Sequence, residues 1–406
     1  MKILIVNAYD TVGGASRAAY RLHKSLLAEG VDSKMLVQNK KSNISTVIST
    51  SSKIREKLIN PFRPALDHVL IKFCGARTLF SSSYMPFSEI VEQINQINPD
   101  IVHLHWITGG MMTIEDIAKI NASIVWSLHD MWAFTDGYHY DETYDIYKNY
   151  CGDEPKNFLS SKVFNRKQKT YSKIDNMTII GLSRWMCDCA KNSVLLKDKQ
   201  HINLPNPIDT NIFKPFNKSE SRKLWGLPQN KKLVLFGAIR ATDDPRKGFS
   251  ELSKALCQIT ISNVELVVFG SGEPKYPSDF GFKTHYLGGL DNDEYLAMLY
   301  SAADVMVVPS LQENLSNAIM ESLACATPVV GFGIGGNQDM IDHKKNGYLA
   351  QPFDTMDLKN GIEWILKNDV SSNARKKILL NFDSKIVVKN YIKLYENILN
   401  QKSFNI

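Results

Sequence analysis

Two glutamates eight residues apart, Glu313 and Glu321, stand in Val307-Val-Pro-Ser-Leu-Gln-Glu-Asn-Leu-Ser-Asn-Ala-Ile-Met-Glu-Ser-Leu-Ala-Cys-Ala-Thr-Pro-Val-Val-Gly331. The apolar run 305–309 reads as a buried parallel strand, and apolar residues recur at helical spacing from Ser316 to Cys325. Glu313 therefore falls in the turn and Glu321 on the helix. Between them, the backbone N–H groups of Asn314, Leu315, Ser316 and Asn317 and the positive end of the helix dipole suit a diphosphate. Eight residues of helical rise put the carboxylates at most roughly 12 Å apart, about the length of a sugar nucleotide.

Other loops carry candidate chemistry. Arg240, Arg246 and Lys247 surround the turn at Gly248, and three cations there suit a leaving diphosphate; a solvated charged loop is the alternative. Gly333, Gly335 and Gly336 form a further glycine-rich turn. Near the N-terminus, Gly13 and Gly14 follow the first apolar run and let backbone approach a ligand, although such a pair also serves as an ordinary turn. The loop lacks G-x-G-x-x-G and Val37-Gln-Asn39 lacks the acid of a dinucleotide site, which argues against NAD. His129 ends an apolar run, where an imidazole can hydrogen-bond a sugar hydroxyl or act in acid–base chemistry. His103 and His105 end the neighbouring run. A structural role remains the alternative for all three, and no carboxylate spacing beside them suggests a metal.

The elements that must position these residues alternate in type. Apolar strands are expected at 2–8, 33–37, 100–106, 123–129, 178–183 and 202–205. A second series at 232–238, 265–270, 284–287, 305–309, 328–331 and 347–350 follows the polar stretch 206–230. Strands alternating with helices imply two doubly wound parallel sheets, with ligands at the carboxyl ends of the strands and a cleft where the two domains face each other. The expected domains are 1–206 and 207–385, with the amphipathic segment 386–406 packing back on the first. Residues 53–88 break the alternation: Lys53, Arg55, Lys57, Arg63, Lys72 and Arg77 lie among apolar residues. They suit either an anionic membrane surface or a helical insertion packed on its own domain.

Composition narrows the class. The chain has 406 residues, 44% apolar and 22% charged, enough for two globular domains. No apolar run reaches the roughly 20 residues needed to span a bilayer, and the N-terminus does not read as a signal peptide, so a cytoplasmic protein, peripheral at most to the inner face of the membrane, is expected. Six scattered cysteines suggest neither a zinc site nor a disulfide framework. A formal net charge of +6 favours anionic partners, yet aromatic–basic nucleic-acid motifs are absent. Nucleic acid is not expected as a partner.

Taken together, these residues resemble the retaining glycosyltransferases of the GT-B fold, in the large family numbered four, marked by E-x7-E followed by a Thr-Pro-Val-Val segment. Glu313, Glu321 and Ala326-Thr-Pro-Val-Val330 match it. His103-Leu-His-Trp106, Leu128-His-Asp-Met-Trp-Ala-Phe-Thr135 and Asp244-Pro-Arg-Lys-Gly-Phe249 are similar to the subgroup that makes bacterial surface polysaccharides, of the colanic acid and capsule type. The resemblance implies Glu321 on the ribose hydroxyls, Glu313 at the transferred sugar, Lys247 and the backbone of residues 314–317 on the diphosphate, His129 on the donor sugar, and Gly14 where the first domain closes. It further implies a nucleoside diphosphate sugar as donor, a glycan or lipid-linked glycan as acceptor, and neither metal nor other cofactor. Two departures stand out. Ala238 occupies the place of the family's arginine, leaving Arg240 or Arg246 to supply that charge, and the subgroup's cysteine cluster is reduced to Cys151. A sugar-nucleotide epimerase and a non-catalytic sugar-nucleotide-binding subunit are the competing readings.

Overall fold

A computed structural model describes every residue except 51–61, 73–78, 87–88, 141–145, 150–157, 238–241, 243, 274–279 and 405–406. The chain divides into two compact units, Met1–Asn206 with Val387–Ile406, and Pro207–Ile386.

The first unit is built on a seven-stranded parallel sheet: β1 (Lys2–Tyr9), β2 (Asp32–Asn39), β3 (Val47–Ser49), β4 (Ile101–Leu104), β5 (Ser123–Leu128), β6 (Met177–Gly181) and β7 (Gln200–Asn203), in the order β3-β2-β1-β4-β5-β6-β7. Its inner strands are apolar runs because helices cover both faces, and Ile3, Leu4, Ile5 and Val6 are all fully buried. β3 was not expected from the sequence. Three residues at a sheet edge are too few to show a periodicity. β4 stops short of the expected residue 106 because the Asn7 side chain takes the place of a ladder partner and accepts from Trp106 N at 2.8 Å. Helix α1 (Gly14–Ala28) follows β1, and α2 (Arg184–Lys191) begins at Ser183, whose hydroxyl accepts from Met186 N. The C-terminal helix, α5 (Ser384–Phe404), buries Val387, Val388, Tyr391 and Tyr395; the Tyr395 hydroxyl lies 2.7 Å from His103 Nδ1.

The second unit repeats the plan with six strands: β8 (Lys232–Gly237), β9 (Val264–Phe269), β10 (Thr284–Tyr286), β11 (Val305–Val308), β12 (Val329–Phe332) and β13 (Gly347–Ala350). Their order is β10-β9-β8-β11-β12-β13. The order reverses between β8 and β11, and in such sheets ligands sit at that switch point, off the carboxyl ends of the strands. Helix α3 (Phe249–Leu256) follows the loop after β8, and α4 (Asn317–Ala324) the loop after β11.

The basic segment 53–88 corrects one expectation. Arg63 is not available to an anionic surface: it is 6% exposed, and its guanidinium donates to the carbonyls of Gly110, Pro86 and Met85 at 2.6, 3.2 and 3.2 Å. Carbonyls that no strand or helix satisfies need a donor, and a buried arginine supplies several at once. Phe62 and Leu66 beside it are exposed. Lys53, Arg55, Lys57 and Arg77 lie outside the described residues, as does the side chain of Lys72. Among the described residues no helix is long and apolar enough to cross a membrane.

Candidate active site

In the second unit the loops after β8, β11 and β12 are tied into one group. Asp244 caps the short turn Pro245–Lys247 by accepting from Arg246 N, and Gly248 closes it at φ +72°. That glycine lies so near Pro309 that a Cβ would meet the Pro309 carbonyl oxygen at 1.9 Å. Leu311 N donates to Arg246 O at 2.8 Å, and Gly336 N to Glu313 O at 3.3 Å. Side chains far apart in sequence meet as a result: Lys247 Nζ is 3.3 Å from Glu313 Oε2, with both groups partly exposed.

Glu321, one turn into α4, is 3% exposed and accepts from the Tyr300 hydroxyl at 3.0 Å. A buried carboxylate needs such donors. The Thr-Pro segment sets up the same corner, since Thr327 Oγ1 donates to Tyr300 O at 2.7 Å and Ser322 Oγ to Thr327 O at 2.9 Å. Ser316 stands at the N-cap of α4 with Leu315 buried before it, while Asn314 and Asn317 are partly exposed. Arg246, expected to face a diphosphate, is held on Asp244, with Nε–Oδ1 at 3.1 Å and Nη2–Oδ2 at 2.7 Å. Burial raises the Asp244 carboxyl, but Arg246 outweighs it and holds the group below its ordinary range. Arg240 and Ala238 lie outside the described residues. Tyr300 went unread in the sequence; on the helix before β11 it looks like any core aromatic.

In the first unit the histidines at the ends of β4 and β5 form a chain of contacts. His103 is fully buried between Ser127 Oγ at 2.8 Å and Tyr395, and its ring packs 4.4 Å from that of His105. His105 Nδ1 lies 2.8 Å from Nε2 of His129, which is partly exposed. Burial pushes the imidazoles down, His103 to about 3 and His129 to about 4, with Asp130 opposing the shift at His129. All are therefore neutral near pH 7, so His129 can offer a hydrogen bond but not a standing positive charge. Asp130 is structural: its carboxylate accepts from Trp106 Nε1 at 3.0 Å and Trp132 N at 3.0 Å, and contacts His139 Nδ1 at 2.6 Å. The His-Asp-Met-Trp motif thus builds the wall behind His129. Gly13 stands at φ +90° as the N-cap of α1 with open space where a Cβ would lie, and Gly14 opens the helix. Among the described residues no group of three His, Cys, Asp or Glu side chains is placed to hold a metal ion.

Residues 230–368 match the family described as Glycosyl transferases group 1. An uncharacterized glycosyltransferase, MJ1607 of Methanocaldococcus jannaschii, is 29% identical over 192 residues, 44% of this chain and 48% of that protein. The chain spans about half the length of the curated relatives it matches. Among solved structures, sucrose-phosphate synthase from Thermosynechococcus elongatus aligns with a TM-score of 0.69 at 19% identity, covering 99% of this chain and 100% of that one. Alr3699/HepE of Anabaena, solved with UDP and glucose, aligns at 0.65 and 17%, covering 98% and 99%. The whole chain has the GT-B fold of these structures, and the segment carrying Lys247, Glu313 and Glu321 is the one that matches the group 1 glycosyl transferases.

Proposed function

We propose that the protein is a retaining glycosyltransferase that moves a hexose from a nucleoside diphosphate sugar to a glycan acceptor, lipid-linked, in the synthesis of a surface polysaccharide. The observation that carries this reading is the Lys247–Glu313 contact at 3.3 Å, eight residues before Glu321, within the segment that matches group 1 glycosyl transferases. A cation and an anion set side by side can divide the work of the reaction. Lys247 meets the diphosphate as its charge grows on departure, and Glu313 faces the positive charge that develops at the sugar carbon. Glu321, held by Tyr300, accepts from the ribose hydroxyls. The N-terminal backbone of α4, residues 314–317, donates to phosphate oxygens.

Neutral His129 hydrogen-bonds the donor sugar, and the open space at Gly13 admits ligand atoms. The incoming hydroxyl attacks the same face of the sugar that the diphosphate leaves, the bond to the diphosphate breaks as the glycosidic bond forms, and the hydroxyl proton passes to a departing phosphate oxygen, so the anomeric configuration is kept. Catalysis on this reading is electrostatic and needs no resident cofactor. The acceptor assignment rests on the likeness of residues 103–106, 128–135 and 244–249 to polysaccharide-forming enzymes. A UDP-sugar is the first donor to try, because Alr3699/HepE was solved with UDP and glucose.

The test is transfer from UDP-, GDP- and ADP-hexoses to a panel of lipid-linked and free glycans, with the anomeric configuration of the product read by NMR. Product of retained configuration is expected. Inverted product, or nucleotide binding with no transfer to any acceptor, overturns the reading.

A further inference from the structure

The hydrogen bonds at the ends of β4 and β5 leave one atom over. His105 is 3% exposed, its Nδ1 lies 2.8 Å from His129 Nε2, and its own Nε2 is buried with no hydrogen-bond partner among the described residues. A neutral imidazole carries a single ring proton, so one nitrogen donates and the other accepts. Two arrangements satisfy the contact. In one, His105 Nδ1–H donates to His129 Nε2, the buried His105 Nε2 is a bare lone pair, and the His129 proton resides on Nδ1. In the other, His129 Nε2–H donates, His105 carries its proton on the buried Nε2, and His129 Nδ1 is a lone pair. The second leaves a buried N–H without an acceptor, a situation proteins avoid more strictly than an unmet acceptor.

We infer that His105 is a positioning residue that fixes His129 as its Nδ1–H tautomer, so that Nδ1 of His129 is a hydrogen-bond donor and not a base. The surroundings hold both rings in this relation. His103 packs on His105 and is itself pinned by Ser127 and Tyr395. Main-chain bonds fix the His105 backbone, its N–H donating to Val6 O at 2.9 Å and its carbonyl accepting from Trp126 Nε1 at 3.1 Å. The titratable neighbours are His103 within β4, Tyr391 and Tyr395 from α5, and Asp130 with His139 beyond β5. Asp130 is the anion among them, and its field favours a proton on the His129 ring. Burial keeps His105 and His129 neutral near pH 7, so the tautomer and not the charge decides what His129 offers. That the group receiving this donor is an oxygen of the transferred sugar rests on the function proposed above; the tautomer assignment does not.

The test uses the full chain labelled with ¹⁵N-histidine and two-bond ¹H–¹⁵N spectra at pH 7.5, with His129 assigned by the signals lost in His129→Asn. A pyrrole-type Nδ1 and a pyridine-type Nε2 are expected for His129. His105→Asn, whose side-chain N–H stands where Nδ1–H stood, should keep that pattern. His105→Leu should shift His129 to Nε2–H or a mixture. A pyrrole-type Nε2 on His129 in the unaltered protein overturns the inference, as does an unchanged His129 pattern in His105→Leu. Should the leucine variant not fold, the unaltered and asparagine spectra carry the decision. Transfer activity does not enter this readout, so failure of the proposed reaction is told apart from failure of the tautomer assignment.

Discussion

Gly248→Ala should damage both the stability of the second unit and the nucleotide site proposed for it, by an amount the geometry allows to be worked out. At φ +72° an alanine costs about 1–2 kcal/mol from backbone strain alone. Its Cβ would also stand 1.9 Å from Pro309 O, where ordinary contact begins at 3.4 Å. One of the two loops must therefore retreat by about 1.5 Å, and such overpacking adds about 1–3 kcal/mol. A total near 3 kcal/mol lowers the melting temperature of a unit this size by roughly 6–12 °C. The same retreat opens the 3.3 Å Lys247–Glu313 contact to roughly 5 Å, past the reach of an ion pair. Affinity for a nucleoside diphosphate should then fall about tenfold, equivalent to roughly 1.4 kcal/mol. Gly226→Ala is the control, for it sits at φ +63° with nothing within 4 Å and should show only the strain of about 1–2 kcal/mol, roughly 2–8 °C. Calorimetric melting and titration with UDP, GDP and ADP measure both effects. Equal melting temperatures for the two variants, with unchanged nucleotide affinity, would refute the close approach as the device that seats Lys247.

Glu321→Ala should weaken nucleoside diphosphate binding, whereas Glu313→Ala should mainly lower turnover; equal affinity of Glu321→Ala and the unaltered protein in isothermal titration defeats the ribose assignment. Transfer activity should survive excess EDTA, because in the proposed reaction Lys247 and the start of α4 take the leaving-group charge, and loss that Mg²⁺ or Mn²⁺ restores counts against this. Stability should fall as pH drops below 6.5: the folded pKa of His103 is about 3, below its ordinary 6.5, so in that window the unfolded chain takes up a proton that the folded one excludes. The loss is about 1.4 kcal/mol per pH unit for that group. Urea unfolding at pH 7, 6 and 5 reads it, and a His103→Asn variant with an unchanged slope contradicts the assignment.

Much of the architecture was legible because its signals are local. The twelve expected strand segments appear in the two sheets, for an apolar run bounded by turn residues needs no distant partner to be recognised. The E-x7-E spacing likewise encodes a strand, a turn and a helix within one short stretch, and by itself places Glu313 before α4 and Glu321 upon it. What the tertiary structure alone decided are relations between residues far apart in the chain. Lys247 reaches Glu313 only because Gly248 lets one loop lie against Pro309 of another. Glu321 is held by Tyr300 from a different helix, and His103 by Tyr395 at the far end of the sequence. Arg63, which looked like a surface cation, is buried because loop carbonyls elsewhere in the unit needed its donors. Sequence periodicity reports which face a residue takes; which partner satisfies its charge or its hydrogen bonds depends on what the fold carries to that place.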